Sequence, residues 1–145
     1  MKRSVHDDDG STVLLTIFFG ALSLALILLV VATSSLYLER KRLFTLADGA
    51  ALAGAEAFDL ANVRPTSTGF RPTLASADVA AAVTDYVEQA SGRSFEGLTV
   101  ERAESVDGRS ATVALSAFWR PPGVTLFVPG GVRLDVTAVG RSVFR

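Results

Sequence analysis

The sequence predicts an α+β protein organised on one long N-terminal helix. Three observations carry that expectation. No charged residue occurs in the 28 positions from Ser11 to Leu38. Leu36 to Ala61 contains no proline and is dominated by Ala, Leu, Glu, Arg and Lys, all good helix formers. Beyond that, the apolar period changes from helical spacing after Ser76 to strict alternation after Leu98. The expected architecture is a transmembrane helix continuing into an Ala-rich helix, then a second helix and a small three- to four-stranded antiparallel sheet. The expected divisions are a polar leader (1–10), the membrane helix (11–38), its extension (39–61), a loop (62–75) and a small α+β domain (76–145).

The charge-free run justifies the first element. Val13 to Ala32 is almost entirely Leu, Val, Ile, Phe and Ala. A bilayer core needs about 20 such residues, so membrane lipid is the first expected partner. The few polar residues, Thr16, Ser23, Thr33, Ser34 and Ser35, are of the kind that bond a carbonyl one turn back. Asp7, Asp8 and Asp9 precede the run, where carboxylates favour a helix dipole, and Ser11 or Thr12 is the expected N-cap. His6 reads as a solvated leader residue. A cleavable secretory signal fits less well. The apolar run exceeds a typical h-region of about 7–15 residues, although Val31-Ala-Thr-Ser-Ser35 offers small residues for a cut.

The helix is expected to leave the membrane at Tyr37 and the charged collar Glu39-Arg40-Lys41-Arg42. Small residues then repeat at helical spacing: Ala47, Ala51 and Ala55; Gly49, Ala53 and Ala57; Ala50 and Gly54. Such a stripe lets backbones approach closely. Its two readings are packing against the chain's own domain and packing against other subunits of an assembly.

Asn62 to Leu74, with Pro65, Gly69 and Pro72, reads as a loop. Ser76 is the expected N-cap of the second helix, with Val79, Ala82, Val83, Tyr86 and Val87 as its apolar stripe and Gly92 as its stop. Leu98–Val106 and Ser110–Trp119 alternate around an Asp107-Gly108 hairpin signal. Val124–Val128 is a short strand or apolar loop, and Val132–Val139 is a clean alternating strand. Trp119 is expected at the edge of the core, and Glu101 and Glu104 on the surface.

Composition removes much chemistry. The chain has 145 residues, no cysteine, one histidine and a formal net charge of −1. That excludes a disulfide scaffold, thiolate metal sites, a cysteine nucleophile and a multi-histidine centre. Nucleic acid has no basic patch to bind. Serines are plentiful, but no histidine lies in the C-terminal domain to activate one, and Pro129-Gly130-Gly131 lacks the Lys of a phosphate loop. No catalytic residue, cofactor or metal is expected.

Two segments resemble a known family. Asp9-Gly10-Ser11 stands directly before the apolar run. Arg40-Lys-Arg-Leu-Phe-Thr-Leu-Ala-Asp-Gly-Ala-Ala-Leu-Ala-Gly-Ala55 is similar to a basic residue followed by Ala-Asp-x-Ala-Ala-Leu-Ala-Gly-Ala. Together they resemble the bacterial TadE/TadG-like proteins of the Flp (tight-adherence) pilus system, a type IV pilin-like class. The resemblance implies a non-enzymatic, single-pass plasma-membrane component with a cytoplasmic leader and an extracytoplasmic domain. It implies as partners other pilin-like subunits or Tad assembly proteins and a prepilin peptidase cutting at Gly10–Ser11. The small-residue spacing makes Ala47, Gly49, Ala50, Ala51, Ala53, Gly54, Ala55 and Ala57 the expected helix-packing interface. The basic count, Lys2 and Arg3 against Arg40, Lys41 and Arg42, points the other way by one residue. That margin is too small to outweigh the resemblance. Pilin-type substrates usually carry Glu at the fifth position after the cut, where this chain has Leu15. The alternative functions are a membrane-tethered envelope or secretion accessory module outside any filament, and a domain released by signal peptidase.

Overall fold

A computed structural model describes residues 8–57, 63–66, 69–92, 95–122 and 129–141. Helix α1 (Asp8–Ala55) is 48 residues long, or about 72 Å at ~1.5 Å per residue. It starts before the expected caps, so Ser11 and Thr12 lie inside it. Acidic residues at a helix N-terminus favour such an early start. It ends at Ala55, short of residue 61: Glu56 N donates to the Leu52 and Ala53 carbonyls, and Ala57 N to the Gly54 carbonyl. The bonds to the Ala53 and Gly54 carbonyls are of the i→i+3 kind that tightens and closes a last turn. Leader residues 1–7, residues 58–62 and the Val124–Val128 segment lie outside the described residues.

The expected loop carries a hairpin instead. Strands β1 (Val63–Thr66) and β2 (Gly69–Pro72) pair antiparallel, Thr66 opposite Gly69. Pro65 and Pro72 hide this pair in the sequence, because proline demotes a strand reading and is tolerated mainly on edges. Helix α2 spans Ser76–Ser91, and strands β3 (Glu96–Glu104), β4 (Ser110–Trp119) and β5 (Val132–Arg141) form one antiparallel sheet in the order β3-β4-β5. Ser76 does not cap α2. Ala75 holds the extended cap position without a side-chain bond. The Ser76 hydroxyl instead donates to the Ser105 carbonyl and accepts from the Ser105 N–H, both at 3.1 Å, tying α2 to the end of β3.

The head is a two-layer sandwich. One layer is the sheet, whose inner face carries Ala111, Val113, Leu115 and Ala117 of β4 and Leu134, Val136 and Ala138 of β5. The other is a helix pair. Helix α2 contributes Val79, Val83 and Val87, as its sequence stripe predicts. Helix α1 contributes Leu43, Leu46, Ala47, Ala50, Ala51 and Ala55, all buried and spaced at three and four. The second half of α1 is thus the spine of the head.

Candidate functional site: the anchor helix and its seat on the head

Helix α1 changes character along its length. The lower part is bare: Leu14 is 71% and Val30 63% exposed, and the most apolar window is unburied. The apolar residues of α1 that pack against the head begin with Ala32 and Leu36. The bare stretch from Ser11 to Val31 is therefore 21 residues, or about 31 Å, against a hydrocarbon thickness of about 30 Å. Thr16 and Thr33 bond the carbonyls of Thr12 and Leu29, at 2.8 and 2.9 Å, so neither hydroxyl needs water.

Within residues 32–38, the last part of the expected membrane helix, Ala32, Ser35 and Leu36 meet the head, while Tyr37 and Leu38 stay exposed. Trp119 at the end of β4 donates its indole Nε1–H to the Ser35 hydroxyl at 3.2 Å. Only 9% of Trp119 is exposed, so it closes the edge of the core as expected. At the other end of the sheet, Gly140 of β5 lies against Ala51 and Leu52 of α1. Val132 pairs with Trp119, so β5 runs beside α1 in the same direction. Sixteen helical residues and eight strand residues both span about 25 Å, which is why one sheet edge seats along four turns of helix.

The small residues of α1 meet this head. Ala47, Ala50, Ala51 and Ala55 are fully buried, and Gly54 is buried with them. A Cβ at Gly54 would stand 3.1 Å from Val79 and Val83 and 3.2 Å from Ala111. Gly49 lies under the Tyr86 hydroxyl, with no room for a Cβ. Ala53 and Ala57 are half-buried. What α1 leaves open above Ala32 is a different row: Tyr37, Phe44 and Leu52, at 67%, 49% and 51% exposure, with the exposed Lys41 and Asp48 between them. The amino-acid pattern alone could not separate these rows, since small residues suit either neighbour. Gly10 and Ser11 sit at the start of α1, with Ser11 exposed.

Charges lie around the apolar seat. A groove of about 440 Å³ between α1 and α2 is lined by Leu38, Leu46, Tyr86 and Phe95 together with Lys41 and Arg42. On the outer face of the sheet, a bulge at Val100–Arg102 presents Glu101. The Glu101 carboxylate accepts from Ser116 Oγ at 2.7 Å and Arg133 Nη2 at 2.9 Å, while Arg133 Nε donates to Asp135 at 3.0 Å. Asp135 first, and then Glu101, raise the Arg133 pKa further. Glu96 and Arg120 pair at 2.6 Å. Glu101 and Glu104 are both about two-fifths exposed, on the surface where the sequence puts them. Among the described residues, no group of three His, Asp or Glu side chains converges on a point where a metal would sit.

The Asp107-Gly108 signal marks a real turn between β3 and β4. Asp107 Oδ1 accepts from Arg109 N, Ser110 N and Ser110 Oγ at 2.9, 2.7 and 2.8 Å. These donors, Arg109 N–H first, hold its pKa at about 2, below the ordinary 3.8. Gly108 takes a φ of +66°, and its carbonyl accepts from Leu74 N at 3.0 Å, so the turn also fastens the segment ahead of α2.

The Ser35–Trp119 bond is the part of the site that sequence reasoning misses. Its partners are 84 residues apart. The only hints are a serine in an apolar run and an indole N–H that, once buried, needs an acceptor.

Neither a curated protein nor a solved structure matches this chain. One family model does, and its footprint coincides with α1. Residues 10–57 match the family described as "Putative Flp pilus-assembly TadE/G-like". Over α1, the element that is both long and apolar enough to cross a membrane and the spine of the head, the chain is similar to the TadE/G-like Flp pilus-assembly family.

Proposed function

We propose that this protein is a non-enzymatic, pilin-like component of a Flp/Tad-type pilus or a related secretion assembly. In this reading it is held in the plasma membrane by α1, with the leader cytoplasmic and the head outside. The observation that carries the reading is the coincidence of the matched segment with α1. The family signature covers the element that would hold a subunit in lipid and set it against its neighbours. The lower, bare half partitions into lipid by burying apolar surface, at roughly 25 cal/mol per Å². It is withdrawn only if neighbouring helices replace those lipid contacts. Above the membrane the small residues 47–57 fix the head to its own helix, so the row Tyr37, Phe44 and Leu52 is what a second chain would meet.

The second reading is a membrane-tethered accessory module that never enters a filament. Leu15 favours it, because pilin-type subunits usually carry Glu there. Release by signal peptidase has less support. Residues 31–35 lie in unbroken helix, and Ser35 is tied to Trp119.

The mature N-terminus decides among the three. Mass spectrometry of protein from native membranes should show a chain beginning at Ser11 if it is processed as a pilin. An intact Met1 selects the static anchor. A start near Ser34 or Ser35 removes the anchor altogether.

A further inference from the structure

We propose that the head rests on the membrane surface, with the Trp119 end of its sheet seated in the lipid headgroup layer. The inference rests on the reading of α1 as a bilayer anchor and adds where the head stands relative to that bilayer. It follows from two opposed limits. Raising the helix exposes the bare Val13–Val31 segment to water. Lowering it drags the sheet end into hydrocarbon, and that end carries the Arg120–Glu96 pair and Arg133. Ionisable groups cost several kcal/mol in the bilayer core. Both limits are satisfied when the hydrocarbon ends near Val31.

The head has no stalk to lift it from there. Trp119 is bonded to Ser35, four residues beyond Val31 and so about 6 Å higher along the axis. The headgroup layer of one leaflet is about 5–7 Å deep, half the difference between a whole bilayer and its core. The end of the sheet therefore falls within that layer. Its side chains suit the place. Phe118 and Val132, paired to Arg133 and Trp119, stand 41% and 42% exposed at the sheet end, beside the half-exposed Arg120. Aromatic rings and long cations are the side chains that settle at membrane–water interfaces. Arg40 and Lys41 lie one to two turns higher, and side chains on a helix slant toward its N-terminus, here toward the lipid phosphates. The partner is therefore the headgroup surface of the bilayer that the anchor crosses.

Trp119 is the single tryptophan of the chain, so the unaltered protein carries its own depth reporter. The full chain is reconstituted in phosphatidylcholine–phosphatidylglycerol liposomes containing a nitroxide lipid. The label is placed at the headgroup in one preparation and deep in the acyl chain in another. The headgroup label should quench Trp119 at least about twofold more than the deep one, because a label at mid-core lies ~20 Å below the indole. Equal, negligible quenching by both overturns the seat, as does stronger quenching by the deep label. A second protein, Leu22→Trp in a Trp119→Phe background, reports on the anchor alone. If the deep label quenches it while Trp119 in the native chain responds to neither label, the anchor stands and the seat is wrong. If neither protein responds, the anchor reading fails and the seat with it.

Discussion

Gly140 of β5 and the carbonyl of Ala51 on α1 touch with no side chain between them. A methyl group at Gly140 would overlap that carbonyl oxygen and stand 2.8 Å from Leu52 N, so it would collide with backbone on both counts. Backbone inside a helix cannot rotate away as a side-chain tip can. The contact sets how closely the sheet lies on the anchor helix.

Gly140→Ala should accordingly destabilise the head by about 2–3 kcal/mol, the upper part of the range for overpacking. Chemical unfolding followed by Trp119 emission in detergent reads this directly. Gly20→Ala is the matched control, since a Cβ there meets nothing within 4 Å. It should leave the head unchanged, and alanine's better helix propensity, by up to about 1 kcal/mol, acts only on the anchor. Equal losses from the two substitutions would contradict the close approach.

The Ser35–Trp119 bond couples the lower part of α1 to the head. Ser35→Ala and Trp119→Phe each remove one partner. Their double-mutant cycle should give a coupling of about 1 kcal/mol, the usual net value of a neutral hydrogen bond. Trp119→Phe alone should cost more than Ser35→Ala, because it also empties part of a buried site. Additive losses would mean that the bond contributes nothing to holding the head down.

How far this molecule was legible depends on the range of the interactions. The anchor, α2 and the three main strands follow from local pattern: an uncharged run, a helical stripe at Val79, Val83 and Val87, and alternation around Asp107-Gly108. The partners of the small residues do not. Ala51 next to a second chain and Ala51 next to Gly140 demand the same side chain, so only three-dimensional placement separates them. The lower reach of the head along α1 is hidden for a similar reason. Ala32, Ser35 and Leu36 lie in an uncharged run, but a sheet that returns from position 119 packs against them. Ser76 looked like a cap because capping is a local rule; a strand end 29 residues away claims its hydroxyl.

Acid should loosen the β3–β4 turn. The Asp107 carboxylate has a folded pKa of about 2 against an ordinary 3.8. A depressed carboxylate pKa contributes stability that is fully present above the ordinary value and is lost as pH falls through the folded one. The Asp107→Ala chain should therefore be less stable than the native one at neutral pH. That gap should shrink between about pH 4 and pH 2 and close below it. Thermal melts of both proteins across that range provide the check, and a gap that stays constant would show that the charge on Asp107 is irrelevant to the turn.

The two rows of α1 should respond in opposite ways to substitution. Ala51 is fully buried, and a Cβ on Gly54 already stands 3.1 Å from Val79 and Val83. Ala51→Leu with Gly54→Leu forces two large side chains into a filled core, and overpacking costs roughly 1–3 kcal/mol per site. That double variant should lose the cooperative unfolding of the head, so any change it causes in assembly reports on folding. Phe44→Ser with Leu52→Ser alters exposed positions, and surface changes of this kind usually stay within about 0.5 kcal/mol for each substitution. If neighbouring chains pack on this row, the serine variant should keep a native melt and lose most of its crosslinks to other subunits in native membranes. Retained crosslinks together with a native melt would exclude the row as an interface.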